Sequence, residues 1–464
     1  MIKEIFTDFI TEIKKNHKEG IASFVYKTEK VNFYCLLQKL NEENKDYFYL
    51  EKQKDGTRIL AWSPLKTFVY SGINRIAQTE KAIMELNGSY FSNKADYPGV
   101  SFPLFLGGIK FHPQNTSDPD MVWSDFNDSE WFIPTFMLFS NSQGIYLVYN
   151  FNVGNNEKEV LLENFVATKE LCEHFGKPER ENISIINPEL LKAQDDYEYW
   201  EINVKKALKK IEDDDAEKIV LSRRIKRELS DIPKISGLIS QLAEQYPSCH
   251  TFAFKKNSSI FFGASPERLA SISEGWIEAD ALAGSNPRGS SEEEDKNLEL
   301  ELFSSIKNLN EQKAVVDFIA GSFNKFTDEI IFPDKPVIRK LPNIQHLWTP
   351  IRAKLSKDGS IFSLLKEIHP TPAICGVPWN KALSFINDSE PHNRGLYAGI
   401  LGWFNFDNEG EFIVALRSGL LKEKTLYAFA GCGIVKGSDP KSEYDESELK
   451  LKPILSQFNN GKKG

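Results

Sequence analysis

Cysteine and histidine are scarce in this 464-residue chain. Its five cysteines (Cys35, Cys172, Cys249, Cys375 and Cys432) are scattered, odd in number and never spaced Cys-x-x-Cys. That argues against a disulfide framework and a zinc ribbon, and points to a reducing, cytoplasmic compartment. Seven histidines without metal-site spacing leave a hard cation, held by carboxylates, as the metal such a chain would take. No apolar run approaches the ~18 residues of a membrane span. The opening segment MIKEIFTDFITEIKK is broken by charges every few residues, unlike a signal peptide. Its Ile2, Ile5, Phe6, Phe9, Ile10 and Ile13 recur at helical spacing, which predicts an amphipathic helix lying on a core. There is no fixed-period repeat, low-complexity tract, GxxxxGK[ST] loop, HExxH helix or GxSxG elbow. Basic residues are outnumbered 57 to 66, a formal net charge of -9. Nucleic acid and anionic membranes are therefore poor default partners, and an anionic small molecule would need placed cations or a metal.

Aromatic residues, by contrast, are plentiful: 33 Phe, 15 Tyr and 8 Trp supply material for a large core. The length allows several domains or one large layered one. Residues 20–165 are rich in short aromatic or β-branched runs (YFYLEK, RILAWS, FPLFLGGIKF, WFIPTFMLF, GIYLVYNF) separated by turn residues. A more polar stretch up to the Pro188 segment marks a soft boundary between an N-terminal strand-rich region, 1–194, and a second region, 195–464. There, SSEEEDKNLELELFSSIKNLNEQKAVVDFIAGSF reads as one long helix, opened by a Ser-x-x-Glu cap at Ser290 or Ser291. SDPKSEYDESELKL reads as a terminal helix with Pro440 in its first turn. GCGIVKG has only GxGxxxG spacing and no second βαβ unit, so it is a poor dinucleotide loop. Hairpin-like strands with helices in separate blocks predict an α+β fold with antiparallel sheets.

Several charged residues sit where apolar neighbours would ordinarily exclude them. Lys218 opens KIVLSR; it is either a strand-end lysine reaching solvent or a buried amine whose lowered pKa makes it a base. Glu267, in FFGASPERLAS, is either a turn residue paired with Arg268 or a carboxyl kept protonated by burial. At 100° per residue Glu311 lines up with Leu300, Val315 and Phe318 on the long helix. Glu446 and Lys450, at i and i+4, form either a surface ion pair or part of a site. His346 in NIQHLWTP and Arg417 in FIVALRSGLL are open to structural or functional readings.

Taken in order, KIVLSR, GASPERL, ALAGSNPRG, NEQKAVVDF, QHLWTP, HPTPAICGVP, GLYAGILGW, IVALRSG and AGCGIV followed by SEYDESELKL resemble the chorismate-utilising enzymes over about residues 195–457. FLGGIKF, WSDF and WFIPTFML extend the resemblance toward the longer, menaquinone-type members. The resemblance implies a four-layer α/β/β/α fold with two packed antiparallel sheets and outer helices. A lysine at the Lys218 position resembles the members that add water rather than ammonia, and ALAGS resembles the isochorismate synthases. A salicylate synthase, an aminating synthase component and a catalytically silent chorismate-binding relative are the alternatives. Menaquinone and a siderophore are the alternative pathway ends.

By the same resemblance, Lys218 is the base that activates water and Glu267 the acid that protonates the departing hydroxyl. Mg²⁺ is implied, with Glu311 and Glu446 as its glutamates and Glu443 as an outer partner or the true ligand. Arg417 and Lys450 match positions that receive the enolpyruvyl carboxylate of chorismate. Gly431 and Gly433 would offer backbone N–H groups. Ala283, Gly284 and Ser285 would lie against the ring and metal, with His346 and Tyr397 in the same pocket. Cys432 stands where relatives usually have alanine, which implies some thiol sensitivity. The chain is expected to act as a monomer or weak dimer.

Overall fold

Aromatic runs without polar alternation need cover on both faces, and the strands of this protein receive it. In the strand Tyr47–Lys52, Phe48 and Leu50 enter one apolar cluster while Tyr47 and Tyr49 enter another. Thr57–Tyr70 alternates likewise, sending Ile59 and Ala61 to the first cluster and Leu60 and Trp62 to the second. The second cluster is closed by the helices Ile2–Asn16, Phe33–Glu42, Lys158–His174 and Ile235–Gln245. Each large side chain buried there contributes about 1.5–3 kcal/mol. The computed structural model describes all residues except Met1, 87–89, 94–98, 114–120, 155–156, 177–195, 358 and 459–464.

Among the described residues, twenty strands are joined by hydrogen bonds. Every pairing is antiparallel except that of Ile21–Thr28 with Tyr90–Ser92. The long strand Ser129–Asn141 is the fork. Its first half pairs with Phe105–Ile109, its second half with Gly144–Asn152, and Thr57–Tyr70 runs along its other edge. From Phe105–Ile109 one branch runs through Ile400–Phe404, Gly410–Val414, Arg268–Ser273 and Trp276–Pro287 to Ile344–Leu355. The other runs from Thr57–Tyr70 through Tyr47–Lys52, His250–Lys256, Ser259–Ser265, Ser418–Lys422 and Thr425–Val435 to Lys218–Glu228. The two expected sheets are thus two branches of one hydrogen-bonded system, and the α+β class stands. Strands from both halves of the chain interleave, as where Tyr47–Lys52 lies beside His250–Lys256. The boundary expected near Pro188 lies outside the described residues.

The N-terminal helix buries Phe6, Phe9, Ile10 and Ile13, whereas Ile5 is half exposed. The expected single long helix is two, Glu292–Ser304 and Ile306–Phe323, broken at the extended residue Ser305. The Ser305 side chain accepts a hydrogen bond from the Asn308 N–H at 3.3 Å, capping a new helix instead of continuing the old one. Leu300 is left exposed on the first helix, so it shares no face with Glu311. Ser291 rather than Ser290 is the N-cap of the first helix. The terminal helix Pro440–Leu455 begins with Pro440 and is capped by Asp439. No described helix is long and apolar enough to cross a membrane.

Candidate active site

The strand Lys218–Glu228 is buried over its first six residues, and Lys218 sits at its start, opposite Val435 on one edge and Val377 on the other. Its side chain is 5% exposed, which overturns the solvent-reaching alternative, and Nζ lies 2.7 Å from Glu311 Oε1. Glycine makes room for this contact. A Cβ on Gly433 would stand 2.6 Å from Lys218 Cε and 3.1 Å from Glu311 Oε1. Gly433→Ala is therefore expected to push the lysine away from the glutamate; a crystal structure of the variant with the 2.7 Å contact intact would contradict this.

Glu311 lines a cleft of about 820 Å³ of empty space, counted to its open mouth. Of the fourteen residues singled out in the sequence, all but Lys218 line this cleft, and Lys218 lies directly behind Glu311 and Gly433. Three carboxylates converge here, each with a lysine: Glu311 with Lys218 at 2.7 Å, Glu443 with Lys307 at 2.8 Å, and Glu446 with Lys450 at 2.6 Å. Oxygens of Glu443 and Glu446 and the Cys432 sulfur all lie within 4.8 Å of one another. Burial, and then the neighbouring Glu446 charge, push the Glu443 carboxyl up. Such crowding of carboxylates is what a hard divalent cation would relieve, so the donor set fits Mg²⁺. Cys432 does not join it: its thiol donates to the Glu443 carbonyl at 3.2 Å, and burial pushes its pKa well up. A buried, protonated thiol is a weak nucleophile, contrary to the expected thiol sensitivity.

Glu267 follows Pro266 between the strands Ser259–Ser265 and Arg268–Ser273. Its N–H donates to Ser265 Oγ at 3.2 Å, and its carbonyl accepts from the Val414 N–H at 3.1 Å. The residue is 5% exposed, and its carboxyl has no hydrogen-bond partner among the described residues. Burial pushes its pKa up to about 7 against the pull of Arg417. Arg268 turns away, pairing with Glu278 at 2.9 Å, so Glu267 is not half of a turn ion pair.

Arg417 lies in the connection between Gly410–Val414 and Ser418–Lys422 with φ 48°, a conformation that costs a non-glycine residue about 1–3 kcal/mol. It is buried, and its guanidinium touches His346 Nε2 at 3.4 Å; no carboxylate pairs with it among the described residues. A buried cation without a counter-ion is a strong attractor for an anionic ligand. Lys450 adds a second cation, its Nζ 3.0 Å from the Gly431 carbonyl. His346 is held by Ser285 Oγ at Nδ1, 2.9 Å away, and burial with the charges of Arg417 and Lys450 keeps the imidazole neutral. Gly284, at φ +74°, forms a bulge between Ala283 and Ser285 and packs toward Asn308. Tyr397 stacks on Phe429 with ring centroids 5.3 Å apart, and burial pushes its phenol up to about 12.

Sequence reasoning missed Lys307 and Arg394. Lys307 stands four residues before Glu311 on one helix, a spacing that could have found it. Arg394 lies inside HNRGLYAG, where nothing local reveals that it is buried and lines the cleft.

The chain as a whole is similar to known proteins. A family model described as chorismate binding enzyme matches residues 8–459. Isochorismate synthase MenF of Bacillus subtilis is 32% identical over 96% of this chain and 98% of its own. A solved structure described as a putative 2,3-dihydroxybenzoate-specific isochorismate synthase, DhbC from Bacillus anthracis, superposes with a TM-score of 0.70 at 26% identity, covering 91% of this chain and 99% of that one. MenF of Escherichia coli, at 20% identity, shares the fold with a TM-score of 0.78 over 98% and 99% of the two chains.

Proposed function

The chain belongs to the chorismate binding enzyme family, and we propose that within it the protein is a Mg²⁺-dependent isochorismate synthase. The observation that carries this reading is one cleft served by a buried lysine, a buried carboxyl with a pKa of about 7, and an arginine that no carboxylate pairs with among the described residues. Chorismate is a dianion. Arg417 and Lys450 take its enolpyruvyl carboxylate, while Glu311, Glu443 and Glu446 are the residues that would hold Mg²⁺. When bound, the ion would add positive charge for the dianion to that of Arg417 and Lys450, in a protein of net charge -9.

Lys218, as the base, takes a proton from water while the water oxygen bonds to C2 of the ring. The ring double bonds shift, the C4–O bond breaks, and Glu267 gives its proton to the departing hydroxyl, which leaves as water. Glu267 suits this role because its burial keeps the proton on near neutral pH. Neutral His346 and Tyr397 line the pocket without adding charge to the reacting ring.

The test is product analysis of the purified protein with chorismate, with and without Mg²⁺. Isochorismate formed only with Mg²⁺ is the expected result. Salicylate with pyruvate as enzymatic products would make the protein a salicylate synthase instead, and unchanged chorismate would defeat the reading. Glu311→Gln is expected to weaken the apparent affinity for Mg²⁺ and chorismate together by about tenfold or more, as loss of a metal-site ligand or its partner does. A Mg²⁺ titration of the variant that matches the wild type would remove Glu311 from the metal site.

A further inference from the structure

Beside the cleft lies a buried ion pair to which the proposed chemistry assigns nothing. The carboxylate of Glu390 and the guanidinium of Arg394 are 5% and 3% exposed and meet in a two-pronged contact, with Arg394 Nε 2.8 Å from Glu390 Oε2. Their other contacts include main chain that shapes the site, and His392 Nε2 lies 3.8 Å from Glu390 Oε2. Glu390 Oε1 accepts the Ser222 N–H at 2.7 Å, and Oε2 accepts the Ser222 hydroxyl at 2.8 Å. Arg394 Nη2 donates to the Val220 carbonyl at 2.7 Å, and Nη1 to the Ile374 carbonyl at 2.8 Å.

The strand that starts at Lys218 has a full partner, Thr425–Val435, along one edge only. On the other edge Gly376–Val377 covers its beginning, with Cys375 accepting from the Val220 N–H, and there the backbone pairing ends. The next polar groups on that edge, the Val220 carbonyl and the Ser222 N–H, are taken by Arg394 and Glu390. Two side chains therefore stand in for a missing strand. Arg394 also ties this strand to the cleft wall at Ile374, and the Arg394 carbonyl accepts the Tyr397 N–H in the turn that follows.

We propose that the Glu390–Arg394 pair is a positioning device that joins three walls of the cleft and so sets Lys218 against Glu311 and the substrate. This rests on the function proposed above. The pair itself performs no proton transfer; losing it would free the end of the strand and misplace the base. A charge-keeping change, Arg394→Lys, loses the fork that spans two carbonyls. Should that variant not fold, the double variant E390Q/R394M removes both charges together, which a buried pair tolerates better than loss of one partner.

The test combines steady-state kinetics with crystal structures of these variants, each checked for folding by thermal melting. We expect kcat to fall about 10–100-fold with KM for chorismate within about threefold, the scale at which misplacement by about 1 Å acts. We also expect the 2.7 Å contact of Lys218 Nζ with Glu311 to lengthen or break. A folded variant with wild-type kcat, or with Lys218 in place, overturns the proposal. If the wild type itself leaves chorismate unchanged, the assigned function falls, and the position of Lys218 in the variant crystals alone decides the pair's role.

Discussion

Lys218→Ala is expected to leave a folded protein that forms isochorismate about 10²–10⁴-fold more slowly, the usual loss when a general base is removed. The side chain is nearly enclosed and lies against Glu311 and the space left by Gly433. Glu311 would lose its closest cation, but the charges of Lys450 and Lys307 also act on it, which limits the cost of leaving a carboxylate buried. A second substitution separates two roles that alanine removes together. Lys218→Arg retains a cation for Glu311, yet arginine does not give up its proton in proteins. If Lys218 serves only as a counter-ion, the arginine variant keeps most of the rate; if it is the base, both variants are slow. Initial rates of isochorismate formation, measured beside thermal melts, decide the matter, and a near-normal rate in either variant would remove Lys218 from the role of base.

The sequence was legible where local chemistry is self-contained. The short aromatic and β-branched runs YFYLEK and RILAWS implied strands, and the structure buries those strands on both faces. The Ser-x-x-Glu start, Pro440 and the helical stripe from Phe6 to Ile13 each appear where their spacing put them. It was less legible where one residue decides between two good local solutions. FSSIKN is compatible with an unbroken helix, and the turn to the Ser305 cap depends on the packing of Ile306–Phe323 against Trp276–Pro287, which no local pattern contains. The site followed the same division. Thirteen of the residues named from the sequence line one cleft, although they come from segments as distant as Glu267 and Lys450. Their convergence could be inferred only from the resemblance to a family, since each had an ordinary structural reading when taken alone. The Glu390–Arg394 pair had no such aid: its partners include backbone groups of Ile374, 20 residues away, and of Val220 and Ser222, 174 and 168 residues away, and sequence spacing does not encode such contacts.

Glu267→Gln is expected to reduce turnover by about 10²–10⁴-fold as well, but with a different pH signature. The amide fills nearly the same space, so the variant should fold, yet it has no proton to give to the C4 oxygen. In the wild type the acid form is the active one. With a pKa of about 7 in the free protein, kcat/KM should decline as pH rises through that value from loss of the proton on Glu267. The same group should leave a mark on stability. Its folded-state pKa lies above the ordinary value of 4.5, so between these two values the folded state holds a proton that the unfolded state has released. The contribution is fully present below about pH 4.5 and is lost as pH rises toward 7. Glutamine has no such dependence. The melting temperature of Glu267→Gln should therefore rise relative to wild type between pH 5 and pH 8, while its turnover stays low throughout. A variant that turns over normally would remove Glu267 as the acid. A difference in melting temperature that stays constant with pH would show instead that its carboxyl is not held protonated by burial, and the catalytic assignment would lose its physical basis.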